Sequence, residues 1–251
     1  MAGIRLKDIH SNFITEYEYY LKTEKRLQLS TLNKAIQRFR KVLTFAISQN
    51  HLAKDPFILY KAKREKKEVV YLDSIELQKL ENHYFEIKRV QQIKDLFIFC
   101  CYTGLGFTEM INLKTSDIIK GFDGELWLDI RRNKTQKSYR VPLLQQAKNI
   151  LELYRNESRE AVFPRLSNPK FNAYLKEVAA VVGIEKNLTH HIARKTFATT
   201  VLLYNDVPME IVSELLGHSN MTITQESYGK VVQKKVSEEM NKLKLKIGKN
   251  H

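Results

Sequence analysis

Residues 188–200 read Leu-Thr-His-His-Ile-Ala-Arg-Lys-Thr-Phe-Ala-Thr-Thr. Thr189 suits a helix start, and a helix from there carries His191 and Arg194, at i and i+3, on one face. An imidazole beside a guanidinium can grip a phosphodiester oxygen, because arginine presents a planar fork of donors. A lone His-x-x-Arg also fits an exposed polar helix face, so the pair needs company. Downstream, Leu215-Leu216-Gly217-His218 stops a helix and leaves a histidine at its C-terminal end. Tyr228 follows, 10 residues after His218. Taken singly, these fit a polar helix end and a half-buried amphipathic tyrosine.

Working toward the N-terminus, two stretches alternate as strands do: 125–131 (ELWLDIR) and 138–143 (SYRVPL). The polar residues 132–137 between them read as a hairpin turn, and Lys134 within it is by default a solvated lysine. Before the strands, a strongly apolar helix over 93–102 stops at Thr103-Gly104. Leu72-Asp73-Ser74, Ser167-Asn168-Pro169 and Pro208 read as further helix starts, and Gly183 as a helix stop.

Residues 8–60 read as all-helical. Phe13, Tyr17, Tyr20 and Leu21 recur at helical spacing, as do Leu32, Ile36, Phe39, Leu43 and Ile47, with Ser30 and Thr31 as candidate caps. Lys34, Arg38, Arg40 and Lys41 decorate the outer surface of the second helix, and Asp55-Pro56 ends the pattern. The run 61–68 (KAKREKKE), with Lys63 and Arg64, buries almost nothing; it reads as a solvated helix end or as a basic linker. The expected organisation is a helical domain over 1–62, a basic linker over 63–71 and a larger domain over 72–251, mainly α with one small antiparallel sheet (α+β).

Charge narrows the function classes. Forty-two Lys and Arg against 28 Asp and Glu give +14 and a pI near 9.6, a surface that attracts polyanions, DNA foremost. No apolar run is long enough to span a membrane, so no membrane partner is expected. Cys100 and Cys101, adjacent in an apolar run, suit neither a disulfide framework nor zinc, and a reducing cytoplasm is expected. No Walker-type glycine loop or magnesium-binding carboxylate cluster occurs, and His190, His191 and His218 fit no usual zinc spacing. Neither cofactor nor metal is expected.

The order Lys134, His191-x-x-Arg194, Leu-Gly-His218, Tyr228 closely resembles the tyrosine recombinase (phage integrase) family. Thr103-Gly104-Leu105 with Glu109 is similar to the family's first box, Ala198-Thr199 to its second and Leu215-Gly217-His218 to its third. Lys134 stands 8 residues before Pro142, as the family's hairpin lysine does. The likeness covers about 70–240, while 8–60 resembles the family's core-binding (SAM-like) domain by layout alone. The wording at 193–198 (ARKTFA) and 167–172 (SNPKFN) resembles integrases of mobile elements in Bacteroides-type bacteria.

The resemblance implies a site-specific DNA recombinase with a helical core-binding domain and a C-terminal catalytic domain. Such an enzyme cuts and rejoins double-stranded DNA through a 3′-phosphotyrosyl intermediate and a Holliday junction, as a tetramer on two sites. Tyr228 would be the nucleophile, Arg194 and His218 would hold the phosphate, Lys134 would protonate the leaving oxygen, and His191 would assist proton transfer. Lys34, Arg38, Lys41, Lys63 and Arg64 would bind DNA. An apolar stripe of Val232, Val236, Met240 and Leu243 would pack on its own domain or dock into a neighbouring protomer.

One departure bears on the chemistry. Gly106 stands where the family has the first of its two phosphate-clamping arginines. Arg132 is the candidate replacement, because a strand places it on the same face as Lys134 and sets Arg131 on the opposite one. Lys195, where many relatives carry histidine, receives no catalytic role. Two rival readings are a weakened integrase that acts mainly by binding DNA and a type IB topoisomerase-like relaxing enzyme.

Overall fold

The computed structural model describes residues 4–63, 68–132, 137–155 and 160–248. Its contacts divide the chain into two units, 1–68 and 69–251. The basic stretch 63–71 straddles that division, and Arg64 lies outside the described residues.

In the first unit, α1 (Ser11–Thr23) and α2 (Leu29–Ser48) bury Ile14 and Leu21 against Leu32, Ile36 and Leu43, with Phe57 closing the core. Phe13, Tyr17, Phe39 and Phe57 form an aromatic cluster with centroids 5.5–6.4 Å apart. Two expectations are corrected here. Residues 51–60 are not helical: Asn50 adopts a positive φ of 59°, and Asp55 accepts from the Phe57 amide at 2.9 Å while pairing with Arg40 at 2.6 Å. Ser30 and Thr31 lie inside α2 and cap nothing. The Gln28 carbonyl already accepts from Thr31 and Leu32, so the helix starts before them.

The second unit is organised around α4 (Lys88–Thr103), whose residues from Ile93 onward are all buried. A helix buried on every side reads as a continuous apolar run rather than a stripe. It packs against α6 (Gln145–Tyr154), α7 (Asn168–Val182) and α8 (His190–Thr196). Ahead of it, α3 (Ser74–Asn82) opens with a capping box in which Asp73 accepts from the Glu76 amide and Glu76 from the Asp73 amide, both at 2.9 Å. Ser167 caps α7, Pro169 sits in its first turn and Gly183 ends it in the left-handed region. Thr189 stands at the N-cap position of α8, where its side chain makes no capping hydrogen bond.

After α5 (Phe107–Ile111) comes an antiparallel sheet of β1 (Ile118–Lys120), β2 (Leu126–Arg131) and β3 (Ser138–Pro142), in that order. Its register pairs Leu128 with Val141 and Ile130 with Tyr139, all four buried. Three-residue β1 was not expected; it is too short for alternation to show. Past α8 the chain runs through a π-helical segment, Phe197–Leu202, then α9 (Met209–Leu215) and α10 (Met221–Gly248). Leu72, at the start of the unit, is clipped to the π segment. Its amide donates to Thr196 Oγ1 at 2.9 Å and its carbonyl accepts from Thr200 Oγ1. Among the described residues no helix is long and apolar enough to cross a membrane.

Candidate active site

The site assembles where α8, the β2–β3 pair, the end of α9 and the start of α10 meet. Arg194, half-buried on α8, donates from Nη1 to the Gly104 carbonyl at 2.5 Å and from Nη2 to the Leu216 carbonyl. Arg132 Nη1 donates to the Gly217 carbonyl at 3.0 Å, and Lys137 Nζ to the His218 carbonyl at 3.0 Å. Three consecutive carbonyls beyond α9 thus each hold a different cation. Leu216 is the C-cap of α9 and the next two residues form an irregular turn, so the three carbonyls have no helical partner and turn to side-chain donors instead. Lys137 also lies 3.7 Å from Glu214.

Strand alternation aims Arg132. It lies on the face of buried Leu128 and Ile130, whereas Arg131 is exposed on the other. Lys134, two residues on, lies outside the described residues.

Gly217 lets β3 press on this turn. Its φ is +57°, and a Cβ there would sit 2.6 Å from the ring of Tyr139. Tyr139 is buried, with Arg194, Arg132 and Glu109 acting electrostatically on its phenol. Gly106, by contrast, has an ordinary φ of −73°. A Cβ there would meet Glu109 Oε2 at 2.0 Å, so the carboxylate of Glu109 fills the space beside it.

Tyr228 lies on α10, is buried, and shares Arg194 with Tyr139. Burial raises its phenol pKa, and the Arg194 charge pulls the other way. His218 Nδ1 is 2.7 Å from Thr224 Oγ1. Burial and then the charges of Arg194, Arg132 and Lys137 bring its pKa down to about 4, so the ring is neutral at pH 7. His191 is exposed on α8, its ring centroid 5.0 Å from that of His190. His190 is buried edge-on against Phe107, and burial, then the neighbouring His191, lowers its pKa to about 4.

The structure therefore brings Arg194, Arg132, His218 and Tyr228 together, with His191 on the helix that carries Arg194. Sequence reasoning missed Lys137 and Tyr139. In sequence, Lys137 is one more polar hairpin residue and Tyr139 an ordinary strand residue. Among the described residues no cluster of His, Cys, Asp or Glu could hold a metal. In the first unit, Lys34, Arg38 and Lys41 are exposed on one face of α2. Lys63 is exposed with its ammonium 3.8 Å from Glu18, and Arg40 is committed to Asp55.

A mostly helical two-unit chain whose arginines, histidine and tyrosine converge on one spot has the build of a phosphoryl-transfer enzyme acting on nucleic acid. Residues 71–235 match the phage integrase family and residues 1–66 the phage integrase SAM-like domain. The chain belongs to the phage integrase family, the tyrosine recombinases, enzymes of site-specific recombination. It is 28% identical over 230 residues to tyrosine recombinase XerD of Oceanobacillus iheyensis, covering 84% of this chain and 75% of that one. It is 27% identical over 249 residues to a tyrosine recombinase of Pseudothermotoga lettingae, covering 96% and 84%. In fold it is similar to XerH site-specific recombinase bound to its palindromic difH substrate, with a TM-score of 0.72 and 19% identity over 93% of this chain and 72% of that one. The Tn1549 transposon integrase in complex with transposon right end DNA gives a TM-score of 0.72 and 18% identity, covering 96% and 87%.

Proposed function

We propose that this chain cuts and rejoins double-stranded DNA through Tyr228, with Arg194, Arg132 and His218 holding the scissile phosphate. The observation that carries the reading is two arginines held on the Leu216–His218 turn, one of which, Arg194, also acts on the buried phenol of Tyr228. A phosphodiester repels nucleophiles and has a poor leaving alkoxide. Cations around it offset both difficulties, by favouring loss of the phenol proton and by holding charge on the pentacoordinate phosphorus. Tyr228 Oη attacks phosphorus as the bond to the 5′ oxygen breaks, leaving a 3′-phosphotyrosyl link and a 5′-hydroxyl. Lys134 gives the leaving oxygen its proton, and His191 assists removal of the tyrosine proton. The link keeps the energy of the broken bond, so the reverse attack by a 5′-hydroxyl rejoins DNA without a nucleotide or a metal.

Arg132 takes the part of the arginine missing at Gly106. Its inward face and its bond to Gly217 support this. Lys34, Arg38, Lys41, Lys63 and Arg64 bind DNA phosphates. Four protomers act on two sites through a Holliday junction, the stripe on α10 docks between them, and the work is done on the nucleoid in the cytoplasm of a cell carrying a mobile element. Residues 1–62 form the core-binding domain and 72–251 the catalytic one.

Nicked suicide duplexes test the reading. The wild type should accumulate a covalent protein–DNA adduct that Tyr228→Phe abolishes. Arg132→Ala should lose about 10²–10³ in cleavage rate, the usual loss for one transition-state donor, while Arg131→Ala keeps it. Adding Gly106→Arg to Arg132→Ala should restore part of the rate, since only the flexible end of Glu109 needs to move. Equal rates for Arg131→Ala and Arg132→Ala would end the substitution idea.

A further inference from the structure

Tyr139 is 2% exposed, and among the described residues nothing accepts the proton of its hydroxyl. Arg194 lies beside the phenol oxygen but can only donate. A buried hydroxyl without an acceptor costs about 1–3 kcal/mol, and phenylalanine would fill the same space without that penalty. A ring alone therefore explains the packing on Gly217 but not the oxygen. Such groups persist where another state of the molecule uses them. The charges that face this phenol, Arg194, Arg132 and Glu109, all belong to the site around the Leu216–His218 turn, and Arg194 is shared with Tyr228.

We propose that Tyr139 is a second phenol of the active site, whose hydroxyl donates to a non-bridging oxygen of the scissile phosphate held by Arg194. This rests on the reading that Arg194 binds that phosphate. Tyr139 forms and breaks no covalent bond. It supplies a hydrogen bond that strengthens as charge builds on the oxygen, and so replaces part of what the family's first arginine would give. With Glu109 folded beside Gly106 and no side chain arising from that position, the phosphate has Arg132 from just past β2 and Tyr139 from β3, set diagonally across the pair because Arg132 faces Lys137 and Ile130 faces Tyr139.

The test is Tyr139→Phe in the full chain, with three readouts. Thermal stability should stay level or rise, because an unsatisfied hydroxyl is removed while the ring stays. Binding of the uncut duplex should be unchanged, since many other phosphates hold it. Single-turnover cleavage of a suicide duplex should fall by about 10²-fold. A duplex carrying one sulfur at the scissile phosphate, compared as its two diastereomers, gives a readout that packing alone cannot move. Sulfur accepts hydrogen bonds poorly, so the wild type should be slowed at the diastereomer that places sulfur against Tyr139, and Tyr139→Phe should lose that discrimination. Cleavage at the wild-type rate overturns the proposal, as does a loss of stability in step with cleavage while the sulfur discrimination persists. If Arg194→Ala cleaves at the wild-type rate, it is the underlying assignment that fails instead.

Discussion

Gly217→Ala is the most exacting single change this site offers. The left-handed φ of +57° costs an L-residue about 1–2 kcal/mol. The added methyl would lie 2.6, 2.8 and 3.0 Å from three carbons of the Tyr139 ring. That ring is buried and has nowhere easy to go, so overpacking adds about 1–3 kcal/mol. The sum is about 2–5 kcal/mol, and in a domain of this size it lowers Tm by roughly 4–20 °C. Urea denaturation of a double-mutant cycle separates the parts. In a Tyr139→Leu background the backbone part remains and the steric part goes, leaving about 1–2 kcal/mol and a coupling of about 1–3. An identical loss in both backgrounds would refute the packing reasoning, and a loss below about 1 kcal/mol in the wild type would refute the backbone reasoning too.

Other perturbations reach different links. Stability should fall with pH through a histidine whose folded pKa is depressed: between 6.5 and about 4 the unfolded chain binds the proton and the folded one resists it. For buried His190 the loss is at most about 3 kcal/mol and is complete near pH 4; half-exposed His218 adds less. His190→Leu should flatten the Tm profile over that window, and an unchanged slope would contradict the assignment. Thr196→Val with Thr200→Val strips both partners from the Leu72 backbone, at about 1–3 kcal/mol for each unsatisfied group, and hydrogen exchange should show a faster Leu72 amide. Asp73→Ala should cost about 1 kcal/mol by calorimetry and leave cleavage intact, since the cap lies on α3, outside the site. Replacing Lys34, Arg38 and Lys41 with alanine should reduce the salt dependence of DNA binding by roughly 0.9 in log–log slope for each phosphate that is no longer neutralised. An unchanged slope would place DNA elsewhere.

What the sequence revealed follows from how far each signal reaches. Helix α4 announces itself because its buried C-terminal half, Leu96–Tyr102, is an unbroken apolar run, and Asp73 and Ser167 announce their helices because capping is local chemistry. The motifs holding His191, Arg194, His218 and Tyr228 were legible because each short segment keeps its own residue pattern. Lys137 and Tyr139 were not, because their significance comes from the Leu216–His218 turn, some 80 residues away. The helical reading of 51–60 failed for a related reason: Asp55 prefers Arg40 and the Phe57 amide to a helical backbone, a choice no periodicity reports.

Helix α10 carries Tyr228, the phenol proposed to attack DNA, and the downstream tail on one unbroken rod, Met221–Gly248. Val236 and Met240 lie exposed along it, two and three turns past Tyr228. A subunit that captured those side chains would hold a lever whose short arm ends at Tyr228. Seating the tail and aiming the phenol would then be one mechanical event, unless the rod yields between them. Gly229, the residue after the tyrosine, is the weakest place along that span. Stiffening it with alanine would tie the cutting of a strand more firmly to the arrival of a neighbour.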